Sequence, residues 1–593
     1  MDRSQTMSKD PVKGADVLAH SLMALGVTTV FCYPGGANLE ILDALSRVDI
    51  RLIRTEHEQG AVFAAQGYAR SSGRLGVCLA TSGPGATNLV TGIADANSDS
   101  IPILAITGNV ATTWLGRNAF QEVDIVSVVT PITKHAIQVE SSGEIADALL
   151  QASRIALQGR PGPVLVDIPK DIQQSLLSIM PTLPSVATSI EASTTTKTIG
   201  LSADQAESLA ELLQTSRRPV IYAGGGVVSS GTSVLLVQLA ERLACPTTLT
   251  IMGLGAMPAH HFLMLGPLGM HGAYVANVAV NEADLVLALG VRFDDRVIGD
   301  PAEFARNARI VHIDVDAGEI GKNKPVFMGI TADLRRAFKQ LLEIAAPMDT
   351  SEWRDYLKKI DAHQPLVPKV AEGSLTGASA IACLTDHLAP DSILTTGVGQ
   401  HQMWAMQHSR IAKPRGFLSS SGFGTMGFGL PAAIGAKVAS PASTVIDIDG
   451  DGSLNMTINE LATCRRNSIG VKIFLINNQW LGMVRQWQDM IYASNRVVSS
   501  MNEALLEVGG VKSDGAPYPD FLAIARGYGV AAERVTDEVS LPTAIGRMLA
   551  DPAEPYLLDV LVDREGDVFP MIPAGRSYRY VMFARGESTI VDS

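Results

Sequence analysis

Residues 449–487 read DGDGSLNMTINELATCRRNSIGVKIFLINNQWLGMVRQW. Thr444 to Asp449 is apolar and β-branched and predicts a strand that runs into the turn Gly450-Asp451-Gly452. Two glycines around one acid let the backbone bend tightly while the carboxylate points outward. Leu454, Ile458, Leu461 and Ala462 recur at helical spacing, and Val471 to Ile476 predicts a second apolar strand ending at Asn477-Asn478. Strand, helix and strand form a βαβ unit, so both polar ends reach the carboxyl edge of a parallel sheet. Asp451 and Asn478, 27 residues apart in the chain, therefore come together in space. One carboxylate, one amide oxygen and a nearby backbone carbonyl make the hard oxygen set that suits Mg²⁺. A surface turn beside an unrelated Asn pair is the plain alternative for GDG alone; the pair at this spacing argues against it.

At 593 residues the chain has room for about three or four domains of ~150 residues. Apolar residues make up 46 % and charged residues 18 %, which supports large buried cores rather than disorder. A net charge of −13 argues against binding nucleic acid or an anionic membrane unaided. Five cysteines without a CxxC pair suit neither a disulfide framework nor a thiolate metal site. Residues 1–20 carry no apolar leader and no Arg/Ser-rich transit pattern, and no uncharged apolar run reaches membrane-spanning length. A cytoplasmic protein is expected.

Strand and helix patterns alternate over residues 11–175. The strands are Val27 to Phe31, Arg51 to Thr55, Gly76 to Ala80, Ile103 to Thr107 and Val164 to Ile168. A Pro/Ser/Thr-rich linker follows at 181–200. A second α/β stretch covers 201–345, with strands Val220 to Ala223, Leu285 to Leu289 and Ile310 to Val315. Gly290 and Asp314, 24 residues apart, echo a dinucleotide fold. Without a GxGxxG, a nucleotide site and a plain α/β layer both stay open. A charged helical connection spans 346–372, a third domain 373–565, and a Pro/Gly-rich tail, 566–593, is expected to fold over a site. The fold class is α/β, with three doubly wound parallel-sheet domains.

GDGS followed by NN resembles the diphosphate-binding motif of thiamine diphosphate enzymes, and NNQWLGMVRQWQ narrows the resemblance to the acetolactate synthase (acetohydroxyacid synthase) catalytic subunits. The resemblance extends over nearly the whole chain. It implies a pyrimidine-binding domain at 1–180, an FAD-binding-like domain at 201–345 and a diphosphate and Mg²⁺ domain at 373–565. The implied activity decarboxylates pyruvate on thiamine diphosphate and joins the two-carbon unit to pyruvate or 2-ketobutyrate, in valine, leucine and isoleucine synthesis. Losing CO₂ from a 2-keto acid needs an electron sink that no side chain offers and a thiazolium does. A homodimer or dimer of dimers with its site at the chain interface is implied, with room for a small regulatory subunit.

Residue by residue, Asp451, Asn478 and the backbone oxygen of Trp480 match the family's Mg²⁺ ligands. Gly452 and Ser453 match its diphosphate contacts, as do Val398, Gly399, Gln400 and His401 of the TTGVGQHQMW segment. Met426, with Gly424 before it, matches the residue that props the cofactor into a bent form. Glu58, in TEHEQGAVFAAQGYAR, matches the glutamate that shares a proton with the aminopyrimidine ring, and Gln121 matches a glutamine near the reacting carbon. Glu56 stands where the family has a basic residue. FAD contacts match Gly225, Thr250, Ile251, Met252, His271, Gly290, Arg292, Asp294, Arg296, Asp314, Val315, Asp333, Gln402 and Met403. An Arg that the family uses for FAD between its first two domains has no counterpart in 172–199. Arg296 matches the residue that grips the carboxylate of the second keto acid, where a guanidinium fork is apt. Trp487 matches the residue that favours 2-ketobutyrate. Ala111 and Ala574 stand where plant members carry proline and serine at the herbicide-binding entrance. A pyruvate oxidase or simple decarboxylase, which RFDDR and RQW argue against, is the rival within the cofactor class. A non-catalytic nucleotide-binding scaffold is the rival outside it.

Overall fold

Three six-stranded sheets, each wholly parallel, carry the chain. The computed structural model describes residues 11–181, 199–368, 374–501 and 517–586. The linker expected at 181–200 lies almost entirely outside them.

A short antiparallel ribbon, β1 (Val12–Lys13) on β8 (Leu176–Leu177), closes the first domain. Its sheet comprises β2 (Thr29–Cys32), β3 (Arg51–Arg54), β4 (Gly76–Ala80), β5 (Ile103–Asn109), β6 (His135–Gln138) and β7 (Val164–Pro169). The order is β3-β2-β4-β5-β7-β6. The third domain uses β15 (Ile393–Thr396), β16 (Phe417–Ser419), β17 (Val445–Gly450), β18 (Val471–Asn477), β19 (Ala531–Val535) and β20 (Tyr556–Leu561). Its order, β16-β15-β17-β18-β20-β19, repeats the first domain's order strand for strand. Reading from sequence found the fully apolar central strands and missed the half-buried edge strand β6, whose HAIQ carries no clear pattern.

The middle sheet is different. Its strands are β9 (Pro219–Ala223), β10 (Thr247–Leu249), β11 (Met264–Pro267), β12 (Leu285–Leu289), β13 (Arg309–Asp314) and β14 (Met328–Thr331). They run β11-β10-β9-β12-β13-β14, which is the 3-2-1-4-5-6 order of dinucleotide-binding sheets. The direction of winding reverses between β9 and β12. There Gly226 N–H donates to the Gly290 carbonyl at 3.1 Å. The dinucleotide echo in the sequence thus reflects topology, although Asp314 ends β13 rather than the second strand of the sheet.

The first and third domains meet through the helices Glu58–Ser72 and Gly429–Ala439. A β-carbon on Gly67 would stand 2.0 Å from the Ala432 carbonyl, and one on Gly435 1.8 Å from that of Ala64. Glycine is the condition of this crossing. Phe63 and Phe428 pack edge to face across it at 5.4 Å. The tail returns over the middle domain, where Ile572 N–H donates to Met270 O at 2.8 Å. No helix of the described residues is long and apolar enough to cross a membrane.

Candidate active site

The carboxyl ends of β17 and β18 lie side by side, with Gly450 paired to Ile476. The residues that follow them, Asp451 and Asn478, are 2 % and 4 % exposed. Asp451 accepts N–H bonds from Gly452 at 2.8 Å and Gln479 at 2.6 Å. Burial pushes its carboxyl up to about 7 against the pull of those amides. A divalent cation would offset that burial. The Asn478 amide donates through Nδ2 to Gln400 Oε1 at 3.0 Å, which turns Oδ1 to the same side as the Trp480 N–H, 3.1 Å away. One carboxylate and one oriented amide oxygen thus stand together as hard donors, and Trp480 lines the same cleft.

A cleft of about 60 Å³ opens here, lined by Gly399, Gln400, His401, Met426, Gly450, Asp451, Gly452, Ser453, Asn478 and Trp480 among others. A β-carbon on Gly450 would meet His401 Nδ1 at 2.5 Å, so the ring's approach to this turn depends on glycine. Ser453 Oγ accepts from Gly427 N–H at 2.9 Å, fixing the loop that carries Met426. The residues matched to the diphosphate end of the cofactor are therefore gathered in one place, with Val398 shared with a second cavity and Gly424 lining only that second one.

That cavity, about 550 Å³, lies at the reversal point of the middle sheet, between all three domains. Gly225, Thr250, Ile251, Met252, His271, Gly290, Arg292, Asp294, Arg296, Asp314, Val315, Val398, Gln402, Met403, Gly424 and Trp487 line it. The position is where this topology takes a dinucleotide. Burial holds the His271 imidazole down at about 4, so it is neutral, and lifts the Asp314 carboxyl to about 6. Arg296 and Trp487, from different domains, share this space. Asp333 is the exception among the matched residues. It does not line the cavity, and its carboxylate caps the helix Leu334–Ile344 by accepting Arg336 N–H at 3.0 Å.

Arg160 lines the cavity, donating to Ser100 Oγ at 2.8 Å and pairing with Glu319 at 2.6 Å. Its segment, RPGPVLVDIP, runs directly into β7, where the sequence predicts a strand from Val164 to Ile168. Arg292 reaches the Ser98 carbonyl of the first domain.

Glu58 and Gln121 line neither cavity. Glu58 is buried at the start of its helix, where Asn88 Nδ2 donates to it at 2.9 Å. Gln121, at φ 60°, lies against Gly83 of the neighbouring loop. Within the single chain, Glu58 and Gln121 thus stand outside the cleft that gathers Asp451 and Asn478. Glu56, the departure from the family pattern, pairs with Arg54 at 3.3 Å and Arg466 at 2.5 Å.

Residues 12–128 match the family "Thiamine pyrophosphate enzyme, N-terminal TPP binding domain", residues 206–341 its central domain and residues 397–560 its C-terminal TPP binding domain. The chain is 47 % identical over 583 residues to acetolactate synthase 1, chloroplastic, of Zea mays, covering 96 % of this chain and 88 % of that protein. It is 46 % identical over 594 residues to acetolactate synthase 3, chloroplastic, of Brassica napus, covering 97 % and 87 %. The Arabidopsis thaliana acetolactate synthase, chloroplastic, is 45 % identical over 593 residues, covering 96 % and 84 %. These relatives are chloroplastic by name, which overturns the cytoplasmic expectation drawn from residues 1–20. The composition of the folded body does not record the compartment. Three matched domains in sequence order and this identity over nearly the full length show that the chain belongs to the thiamine diphosphate enzymes, among the acetolactate synthases.

Proposed function

We propose that the chain condenses pyruvate, after decarboxylation, with a second pyruvate or with 2-ketobutyrate, giving 2-acetolactate or 2-aceto-2-hydroxybutyrate. Bound thiamine diphosphate would supply the electron sink for loss of CO₂. Asp451, Asn478 and the Trp480 carbonyl hold Mg²⁺, and the turn from Gly450 to Ser453 faces the diphosphate. Glu58 orients the cofactor's far end and holds a proton there. Arg296 takes the carboxylate of the acceptor, and Trp487 lies against its alkyl end. FAD occupies the cavity at the sheet reversal as a structural group, since the condensation transfers no net electrons.

The observation that carries this reading is the oxygen set at the adjoining ends of β17 and β18, backed by a cavity that joins Arg296 to Trp487. The separation of Glu58 from Asp451 within one chain supports a homodimer in which each site takes one half from each copy. Phe120, beside Gln121, is 87 % exposed, and Met456, just beyond the diphosphate turn, 59 %; a second copy would cover such surface. Incubation with pyruvate, thiamine diphosphate, Mg²⁺ and FAD should give acetolactate. Acetaldehyde or acetate as the main product would favour the decarboxylase or oxidase reading.

A further inference from the structure

Behind Trp487 lies an ion cluster that the reaction as proposed does not use. Arg485 is fully buried, and its terminal nitrogens meet Asp489 at 3.1 Å, Asp567 at 2.8 Å and the Gly566 carbonyl at 2.6 Å. Asp489, also buried, is held by Arg496 at 2.7 Å and Arg585 at 3.2 Å. Arg585 returns to Asp567 at 2.8 Å, and Glu565 joins Arg496 at 2.5 Å. Three guanidinium groups and three carboxylates therefore balance. Arg496 holds the Asp489 and Glu565 carboxyls below their usual range.

The helix Gly482–Ile491 connects this cluster to the cavity. Arg485 and Asp489 lie one turn apart on one face, and Trp487 projects from the opposite face. Gln486 adds a second tie, accepting Val568 N–H at 2.9 Å. Two consecutive side chains are thus rooted in residues 565–568 while the next is presented to the acceptor.

We infer that the cluster of Arg485, Asp489, Arg496, Glu565, Asp567 and Arg585 fixes Trp487 in the acceptor pocket and so sets the choice between pyruvate and 2-ketobutyrate from outside that pocket. Arg485 is a positioning residue, and the tail bearing Arg585 is its clamp. The inference rests on the proposed contact between Trp487 and the acceptor. Discrimination by one methylene is worth little and depends on close contact, so a small shift of the helix erodes it.

The test is a competition between pyruvate and 2-ketobutyrate as acceptors, run with the full-length holoenzyme and read as a product ratio. That ratio does not depend on how much enzyme is folded. Trp487→Leu should lower the 2-ketobutyrate preference most. Arg585→Ala, at a partly exposed position, should lower it by roughly three-fold or more, and Arg485→Lys likewise. Added to Trp487→Leu, Arg585→Ala should change the ratio no further. If Trp487→Leu moves the ratio and Arg585→Ala leaves it at the wild-type value, the cluster only stabilises the fold and the inference fails, whether or not Arg485→Lys folds. If Trp487→Leu itself leaves the ratio unchanged, the acceptor pocket is misassigned and the inference falls with it.

Discussion

The Glu460 carboxylate accepts the backbone N–H of Glu56 through both oxygens, at 3.1 and 3.2 Å. This bond crosses from the third domain to the first and clamps the loop two residues ahead of Glu58. Glu460 follows Asp451 closely in the chain, so one segment carries Asp451 and steadies the loop before Glu58. Removing the clamp with Glu460→Ala should lower turnover through Glu58 while leaving Mg²⁺ dependence near the wild-type value. An unchanged turnover would separate the clamp from Glu58.

The same residue predicts a pH effect. Burial lifts the Glu460 carboxyl from 4.5 to about 7, against the pull of Thr463 and the backbone amides. Between those values the folded chain keeps a proton that the unfolded chain has released. Stability therefore falls as pH rises through this window, by about 3 kcal/mol in full above it. Glu460→Gln does not titrate, so its unfolding midpoint relative to wild type should improve steadily from pH 5 to pH 8. A constant difference would mean that the carboxyl does not titrate in that range.

Gln400 orients Asn478 by accepting a hydrogen bond from its Nδ2 at 3.0 Å. Partners of this kind are typically worth a 10–100-fold change in metal affinity. Gln400→Ala should raise the Mg²⁺ concentration needed for half-maximal activity by about that factor. A Mg²⁺ titration at saturating thiamine diphosphate reads it directly, and overlapping curves would remove Gln400 from the arrangement.

Ala111 has φ −59° and ψ 147°, a conformation that proline adopts without strain. Ala111→Pro should therefore keep or raise stability, by up to about 1 kcal/mol. If this loop lines the entrance as the family resemblance implies, the added ring surface should also tighten sulfonylurea inhibition, by about tenfold for roughly 1–2 kcal/mol of contact. Inhibition curves of the two proteins at matched pyruvate decide the point.

Much of this was legible in the chain because it is local. Apolar strands ending in GDG and NN place Asp451 and Asn478 by pleat and topology alone, and β17 and β18 follow the predicted spans within one or two residues. What was not legible is long-range. Glu460 was one helical residue among others, and its clamp on Glu56 spans 404 residues of sequence. Arg160 precedes the predicted strand Val164 to Ile168 without a pattern of its own, and its place in the cavity wall exists only once three domains meet. Arg485 read as part of a motif around Trp487. Its burial depends on acids about 80 residues further on. Asp333, matched to an FAD contact, caps its helix and lies outside the cavity lining, a local bond that the sequence pattern did not single out.

In the proposed homodimer, the acetolactate-forming site is built from two copies of the chain. Glu58→Ala and Asp451→Ala chains are each expected to be inactive. When mixed and allowed to exchange subunits, half of the dimers are hybrids, and each hybrid joins one intact Glu58 to one intact Asp451. Acetolactate formation should then recover to about a quarter of the wild-type rate, as two-fold symmetry requires. No recovery, with exchange confirmed by mass, would contradict a site shared between chains.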